Sequence, residues 1–229
     1  MKILAIGAHP DDIEIFMYGF LAVCKKRGDQ IYMAVATDGA AGIVEKNKNL
    51  KNVRAKETIR GLNLLGKPVF LNLPDGRMSF NLEAKDIIDR YIKSVNPDLI
   101  LTHSHDDYHP DHRALSLYVS QSAGFKCPIV FSDTLMGVNF IPDIYVDISR
   151  FFDDKKKAIS FHKSQRPEKF ISAVTIWNRF RAAQCNGPKA SYAEAFKIDK
   201  RFPFSDIRSM LPIGPKYRPF YSKDSDGLI

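Results

Sequence analysis

Residues 3–14 read Ile3-Leu4-Ala5-Ile6-Gly7-Ala8-His9-Pro10-Asp11-Asp12-Ile13-Glu14, and this stretch decides the fold. Its first four residues are apolar, and so short a run suits a strand buried in a parallel sheet. Gly7 and Pro10 end that strand, and the apolar residues that follow suit a buried helix. In an open α/β sheet, ligands bind where the chain leaves the carboxyl end of a strand. A histidine and two adjacent carboxylates stand at that edge, so chemistry is expected there.

Segments typical of strands and of helices alternate through roughly the first 130 residues. Strands are predicted at residues 2–8, 31–37, 69–73, 99–102 and 128–132. Helices are predicted at residues 12–27, 52–65, 82–95 and 111–123. Right-handed crossovers between parallel strands place helices on both faces of a sheet. The sequence therefore predicts an α/β, Rossmann-like three-layer fold with a mainly parallel central sheet and helices on both faces.

The second half of the chain has a weaker pattern. A short strand is expected at residues 145–148, helices at 152–162 and 171–184, and residues 190–196 are expected to pair back onto the core. Lys155, in a run of three lysines after two aspartates, is interpreted as part of a solvated helix start. From residue 201 the chain is rich in Pro, Gly, Arg and aromatic residues, which predicts an irregular C-terminal extension.

The composition limits the classes of protein to consider. With 229 residues, of which 45% are hydrophobic and 26% charged, the chain suits one large soluble domain. Its longest apolar segment is about half the length of a transmembrane helix, and no signal-peptide cleavage site follows the N-terminus. The protein is therefore expected to be cytoplasmic. Three widely spaced cysteines without a CxxC pair argue against disulfides and a thiolate zinc site.

The net charge of +8 permits anionic ligands, but it does not predict a nucleic-acid partner. Nucleic-acid binding usually needs a concentrated basic face with aromatic or motif support, and the sequence offers neither. A nucleotide-binding oxidoreductase shares the strand–helix alternation. It needs a glycine-rich turn after the first strand, where this chain has His-Pro-Asp-Asp instead.

A second polar cluster follows the predicted strand at residues 99–102, and it reads His103-Ser104-His105-Asp106-Asp107-Tyr108-His109-Pro110-Asp111-His112. A catalytic zinc site uses three protein ligands and leaves one position open. His9 and Asp12, three residues apart across a tight turn, can reach one ion, and a histidine of the second cluster would complete the set. Asp11 is then free to take a proton from the metal-bound water.

Alternatives remain open at this level. Asp12 alone is explained as a helix N-cap and His9 as a hydrogen-bonded turn residue. Two such clusters after two parallel strands favour a metal site. The residues do not choose between His109 and His112 as the third ligand, and they exclude neither His103 nor His105. They also leave open whether an amide or a phosphate ester is hydrolysed, and a metallophosphoesterase would usually hold two ions about 4 Å apart.

Two motifs resemble the signature pair of the LmbE/PIG-L family of zinc-dependent N-deacetylases, namely residues 8–14 and the run His109-Pro110-Asp111-His112-Arg113-Ala114. The likeness extends to about residue 197 and includes Thr37-Asp38-Gly39, Leu73-Pro74-Asp75-Gly76 and His162-Lys163-Ser164-Gln165. It implies one deacetylase domain over residues 1–229, with the irregular extension from about residue 200. It also implies hydrolysis of an N-acetylated amino sugar or glycoconjugate, releasing acetate; a non-catalytic sugar-binding relative is the alternative.

The resemblance also implies a role for each motif residue. The zinc ligands are His9, Asp12 and His112, although another divalent ion is possible. Asp11 is the general base and His109 the second catalytic group.

Three further roles follow from the same resemblance. Asp111 is implied as the catalytic partner of His109, and Arg54 as a substrate-binding residue, with a solvated helix arginine as the alternative. Some family members place a tyrosine where this chain has Asp107, so Tyr108 is not given a catalytic role. His103 and His105 are interpreted as loop residues at the rim. A homo-oligomer is a further possibility that the resemblance raises.

Overall fold

One sheet holds seven strands in the part of the chain that this computed structural model describes, residues 1–42, 49–81, 83–200 and 206–216. Five of them are parallel and are listed here in chain order: β1 (Lys2–Gly7), β2 (Gln30–Thr37), β3 (Val69–Leu73), β4 (Leu99–Thr102) and β5 (Ile129–Ser132). Two more, β6 (Ile144–Asp147) and β7 (Ala193–Ile198), extend the sheet beyond β5, with β7 antiparallel to both neighbours. The spatial order β3-β2-β1-β4-β5-β7-β6 confirms the predicted mainly parallel α/β sheet.

Helices cover both faces of this sheet. The described helices are α1 (Asp12–Phe16), α2 (Tyr18–Arg27), α3 (Leu50–Gly61), α4 (Ala84–Val95), α5 (Pro110–Ala123), α6 (Phe152–Ser160) and α7 (Pro167–Gln184). Along β1, Ile3 and Ala5 join the core beneath α1, α2, α6 and α7, whereas Leu4 and Ile6 join the core beneath α4 and α5. This alternation with period two is the expected pattern of a strand buried on both faces.

The single helix predicted at residues 12–27 is wrong, because the chain breaks at Met17, whose φ is −134°. After the break, the first backbone N–H groups of α2 donate to a side chain instead of to carbonyls of the preceding turn. The buried carboxylate of Glu194 accepts from Gly19 at 2.9 Å and from Phe20 at 2.8 Å. A carboxylate satisfies the unpaired donors of a helix start and its positive end. A β-carbon on Gly19 would lie 2.3 Å from Ile148, so only glycine allows this approach.

The interpretation of Lys155 as a solvated residue is also wrong. Its side chain is fully buried, and its ammonium donates to Glu194 at 2.8 Å and to Asn178 at 3.0 Å. A charge is tolerated in the interior only when it is paired and hydrogen-bonded, and these partners satisfy that condition. The buried pair joins α6 and α7 to the start of α2.

The loops after β1 and β4 meet at one point of the sheet edge. β1 and β4 are adjacent, but the helices that follow them lie on opposite faces. A strand order that reverses in this way leaves a crevice outside the carboxyl ends of the two strands, where α/β proteins bind ligands. Both polar clusters of the sequence, residues 9–12 and 103–112, lie in these loops.

The described part of the C-terminal extension, residues 206–216, has one helical turn at Arg208–Met210. The Ile213 carbonyl accepts a hydrogen bond from the Asp147 N–H at 3.0 Å, so this segment covers the outer edge of β6. Residues 201–205 and 217–229 of the predicted extension lie outside the described residues. Among the described helices, none combines the length and the apolar character that a membrane span requires.

Candidate active site

The turn after β1 is held in an unusual backbone conformation. Asp11 has φ 121° and ψ −24°, a region that residues with a β-carbon rarely occupy and that costs about 1–3 kcal/mol. Arg54, from α3, stabilises the turn because its guanidinium donates to the Pro10 carbonyl at 2.7 Å and to the Gly39 carbonyl at 3.0 Å. Strain of this kind persists only where the surrounding structure imposes it, and here it orients neighbouring carboxylates.

Three potential ligand atoms converge above this turn. Nδ1 of His9, Oδ2 of Asp12 and Nε2 of His112 are separated by 3.2 Å, 3.3 Å and 3.4 Å. Zinc bonds of about 2.0–2.1 Å in a tetrahedron place neighbouring ligand atoms about 3.3–3.4 Å apart. All three residues are buried, and two imidazole nitrogens with one carboxylate oxygen form a donor set that zinc prefers. The triangle therefore fits a single divalent ion.

His103 competes for the same position on distance alone. Its Nε2 lies 3.0 Å from the same oxygen of Asp12, and Asp12, His103 and His112 also form a possible ligand group. A catalytic ion must reach the cavity in which substrate binds, since it keeps an open coordination position. His9, Asp12 and His112 line that cavity, whereas His103 does not and is 0% exposed. The interpretation of His103 as a rim residue is therefore wrong.

Carboxylates orient both histidines of the triangle from behind. On His9, Nε2 lies 3.2 Å from Asp75 Oδ1 and 3.3 Å from Asp111 Oδ2. On His112, Nδ1 lies 3.0 Å from Asp107 Oδ2, although not in line for a well-formed hydrogen bond. Histidines that bind metals commonly carry a carboxylate on the second ring nitrogen, which fixes the tautomer and the ring orientation.

The expected pairing of the Asp111 carboxylate with His109 is not what the structure shows. That carboxylate contacts His9 and accepts N–H groups from Gly76 at 2.7 Å and Met78 at 3.1 Å. Only the backbone N–H of Asp111 contacts His109, and it donates to Nδ1 at 3.2 Å. The residue before a helix can accept one of the unpaired N–H groups at its start, and the His109 ring does so for α5.

This hydrogen bond assigns the tautomer of His109. Because Nδ1 accepts, a neutral ring carries its proton on Nε2. Burial lowers the pKa of His109, and the neighbouring His9 and His112 lower it further. His109 also lines the cavity, so a neutral ring can present an N–H donor to a bound molecule.

Asp11 is placed as a proton acceptor. Its Oδ2 lies 3.2 Å from the Arg54 guanidinium, and both side chains are buried at the cavity wall. Burial raises the pKa of Asp11 above its usual range; Arg54 opposes this effect and Asp12 adds to it. A carboxylate with a raised pKa is a stronger base than an exposed one, as general base catalysis near neutral pH requires. Arg54 is buried, so it is not the solvated helix residue considered as an alternative.

The two histidines of the triangle bind protons tightly when no cation is present. Burial lowers the pKa of His112, but Asp12 and Asp107 outweigh burial and raise it to about 9. Burial acts in the same direction on His9, and there Asp111, Asp12 and Asp75 hold the pKa well above its ordinary value. Asp12 stays ionised, because its contacts with His112 and His103 outweigh its burial and lower its pKa well below the usual range. This cluster of carboxylates therefore attracts positive charge.

The cavity has a volume of about 320 Å³, within the range of about 300–1,000 Å³ for small-molecule sites. The polar lining comprises the triangle and the side chains Asp11, Arg54, Asp75, His109 and Gln165. The apolar lining includes Ile15, Phe16, Leu135 and Phe170, together with the ring of Tyr108. A ligand with polar groups and an apolar portion matches this lining.

All of the site residues predicted from the two motifs lie in or directly behind this cavity, except His105. The ring nitrogens of His105 contact the hydroxyl groups of Ser116 and Ser120 on α5, next to a different cavity. Sequence reasoning missed Asp75 and Asp107 as orienting carboxylates. Asp75 lies two residues after the end of β3, at the same carboxyl edge, so the rule that pointed to His9 would have found it.

Comparison with known proteins shows to which protein family this chain belongs. The sequence profile of PIG-L, described as GlcNAc-PI de-N-acetylase, matches residues 4–123, just over half of the chain. The chain belongs to the PIG-L family. The uncharacterized deacetylase YaiS of Escherichia coli is 30% identical over 71% of this chain and 90% of that protein. The diacetylchitobiose deacetylase of Thermococcus kodakarensis is 28% identical over 73% of this chain and 71% of that protein. Deacetylases of this family are amide hydrolases that act on carbon–nitrogen bonds other than peptide bonds.

Solved structures share the fold of this PIG-L family member. The structure of the N,N'-diacetylchitobiose deacetylase of Pyrococcus horikoshii superposes on this chain with a TM-score of 0.76 and 23% identity. The match covers 92% of this chain and 88% of that enzyme. The structure of GalB, the 4-carboxy-2-hydroxymuconate hydratase of Pseudomonas putida, also superposes on this chain, with a TM-score of 0.73 and 18% identity. The match covers 86% of this chain and 95% of GalB. The same fold thus carries two different reactions, and the fold alone does not decide between them.

Proposed function

We propose that this protein is a zinc-dependent hydrolase that removes the N-acetyl group from an N-acetylglucosamine-type amino sugar or its conjugate. One observation carries the proposal: a ligand triangle of tetrahedral dimensions opens into the same cavity as a buried base, Asp11, and an N–H donor, His109. Amide hydrolysis needs all three elements, because an amide is a poor electrophile with a poor leaving group.

His9, Asp12 and His112 would hold the ion. When bound, a divalent cation supplies a Lewis acid and lowers the pKa of water to about 7. Zinc suits two imidazoles and a carboxylate, although such sites select only modestly among divalent metals. Asp75, Asp107 and Asp111 would keep the two histidine rings in their binding orientation.

The side chains of this protein would divide the proton transfers between them. Asp11 takes a proton from the attacking water, and Arg54 keeps its carboxylate in place. His109 donates a hydrogen bond from Nε2 to the oxygen that gains negative charge, and the proton that Asp11 has taken passes on to the departing nitrogen. One water is consumed, the amide C–N bond breaks, and acetate and a free amine are released.

A hydratase is the second candidate, and the similarity of the fold to GalB favours it. Adding water to a carbon–carbon double bond also requires a base and a polarised substrate. GalB is 18% identical to this chain, whereas the relatives at 28% and 30% identity carry deacetylase names. Deacetylation is therefore preferred.

The test is a mass-spectrometric screen for loss of acetyl. Zinc-loaded protein is incubated with a panel of N-acetylated amino sugars and glycoconjugates, and acetate is measured in parallel. Wild type should release acetate and Asp11→Asn should not, although it binds zinc normally. The matched control is Asp106→Asn, which removes an exposed carboxylate paired with Lys197 outside the cavity. Absence of acetate across the panel, with hydration of an unsaturated acid, would overturn the proposal in favour of the hydratase.

Three statements remain predictions from the sequence. These are the cytoplasmic location, the homo-oligomer and the single domain over residues 1–229. The substrate is proposed to be a small molecule, and the apolar residues in the cavity lining support an amino sugar that carries an apolar portion.

A further inference from the structure

We infer that His103 is a positioning residue that holds the carboxylate of Asp12 in its metal-binding orientation by donating a hydrogen bond from Nε2. The inference rests on the metal site of the proposed function, but not on the identity of the substrate. His103 directly follows β4, and Asp12 lies in the turn after β1. The contact therefore joins the two polar clusters of the sequence through one carboxylate.

The position of His103 leaves it little freedom. It is completely buried and stacks on His112, with ring centroids 3.7 Å apart and the planes inclined by 13°. The edge of Phe16 closes another side at 5.6 Å between centroids. Nε2 lies 3.0 Å from Asp12 Oδ2, the oxygen that also faces His9 and His112 in the triangle. A ring fixed in this way can set the direction of the carboxylate.

Two donors would fix this oxygen from different parts of the chain. The backbone N–H of His9 donates to Asp12 Oδ2 at 2.6 Å from within the same turn. His103 approaches the same atom from the neighbouring strand. The turn alone controls one direction of approach, and the second contact restricts rotation of the carboxylate about its own bond. Second contacts of this type typically change metal affinity by about 10–100-fold.

The surroundings of the ring decide which nitrogen carries the proton. Nε2 also lies 3.1 Å from the Ala8 N–H, so it faces both a donor and a carboxylate and can satisfy only one of them. Nδ1 of His103 is buried without a partner in the described part of the chain. Either tautomer leaves one buried N–H without this partner, that of Nδ1 or that of Ala8, but only a proton on Nδ1 would also direct the Nε2 lone pair at a negative charge. Because hydrogen bonds to a charged group are about twice as strong as neutral ones, the proton belongs on Nε2.

Two amide variants of different length distinguish a hydrogen-bonding role of His103 from a role in packing alone. His103→Gln places its amide nitrogen near the position of Nε2, whereas His103→Asn ends one methylene earlier, near Nδ1. Both variants lose the aromatic ring and both are polar. Each metal-free protein is titrated with zinc against a competing chelator, and d–d absorption of the cobalt-substituted proteins reports the ligand geometry. Circular dichroism and thermal melts in EDTA confirm folding, and His103→Leu, which has no donor at all, replaces the Asn variant if the Asn protein does not fold.

Wild type should bind one zinc, and the Gln variant should bind within about threefold of it. The Asn and Leu variants should bind about 10–100-fold more weakly, with a changed cobalt spectrum. Equal affinity in all variants would overturn the role of His103, and so would an equal loss in Gln and Asn. Absence of zinc binding to wild type would overturn both the metal site and this inference. Zinc binding in the expected order without deacetylation would overturn the proposed substrate reaction alone.

Discussion

The carboxylate of Asp111 lies 3.3 Å from Nε2 of His9, on the opposite side of that ring from the ligand atom Nδ1. The same carboxylate accepts the N–H groups of Gly76 and Met78 in the loop after β3. Its backbone N–H meanwhile donates to Nδ1 of His109. Asp111 thus acts on the metal site through its side chain and on His109 through its backbone, and these two effects can be separated by mutation.

Replacing Asp111 by Asn should weaken zinc binding by about 10–100-fold, because the ring of His9 loses a charged partner. At saturating zinc, kcat should fall much less, since the backbone bond to His109 is retained. His109→Ala should show the reverse: unchanged zinc affinity and a loss of about 10²–10³ in kcat, the usual contribution of one hydrogen-bond donor to a developing oxyanion. Chelator-competition titrations and steady-state kinetics measure the two quantities. If Asp111→Asn bound zinc normally and lost only kcat, its carboxylate would act on His109 after all.

Zinc binding should release protons at neutral pH. The pKa of His112 is raised to about 9, so its ring is charged in the metal-free protein at pH 7. Its Nε2–H can then donate to Nδ1 of His9, 3.2 Å away. His112 must be neutral to bind a cation, so each zinc should displace at least one proton. Calorimetry at one pH in buffers of different ionisation enthalpy measures this number. Release of no protons at pH 7 would contradict the charged state of His112.

The metal-free protein should also lose stability as the pH rises. The raised pKa of His112 means that its charged form is stabilised by folding, and this contribution is complete below the unfolded value of about 6.5. It disappears as the pH passes through about 9. Urea midpoints measured in EDTA should therefore be lower at pH 9.5 than at pH 6. In His112→Asn this part of the decrease should be absent.

Much of the fold could be predicted because its determinants are local. The apolar run at residues 3–6 and the stop at Gly7 define β1 without reference to any other part of the chain. The break at Met17 could not be predicted, because the group that accepts the first N–H donors of α2 is the carboxylate of Glu194, 175 residues from Gly19. The burial of Lys155 also depends on Glu194, its ion-pair partner, which is distant in sequence. Local charge pattern indicates a solvated lysine until a distant partner is known.

In the candidate site, too, some features follow from local sequence and others depend on contacts between residues that are distant in sequence. The strand pattern predicts that the two motifs meet, since the carboxyl ends of neighbouring parallel strands share one edge. The choice of His112 beside His9 and Asp12 came from the family resemblance, because the residues alone left other histidines open. Which carboxylate faces which ring depends on angles between loops, and sequence spacing does not contain them. The resemblance implied that Asp111 pairs with His109, whereas its carboxylate contacts His9.

Lys155→Met should destabilise the protein by about 3–5 kcal/mol, because it leaves the buried carboxylate of Glu194 without its positive partner. The matched control is Lys156→Met in the same helix. Lys156 pairs with Asp153, whose side chain is 93% exposed, so its loss should change stability by less than about 0.5 kcal/mol. Urea unfolding followed by circular dichroism measures both changes. Equal midpoints for the two variants would show that Glu194 is adequately satisfied by the N–H groups of Gly19 and Phe20.

Asp11→Gly should be more stable than Asp11→Ala by about 1 kcal/mol, although neither should hydrolyse substrate. Both variants lose the carboxylate that faces Arg54, and the Asp11 side chain caps no helix N–H, so the two differ only in the β-carbon at φ 121°. Relief of that strain favours Gly by about 1–2 kcal/mol, and the greater backbone entropy of unfolded Gly offsets part of this gain. Lys56, exposed inside α3, supplies the control: there Gly should be less stable than Ala by about 0.5–1 kcal/mol. Opposite signs at the two positions, measured by urea unfolding in EDTA, would establish that the turn holds Asp11 under strain. The same sign at both would mean that the turn relaxes once the carboxylate is removed.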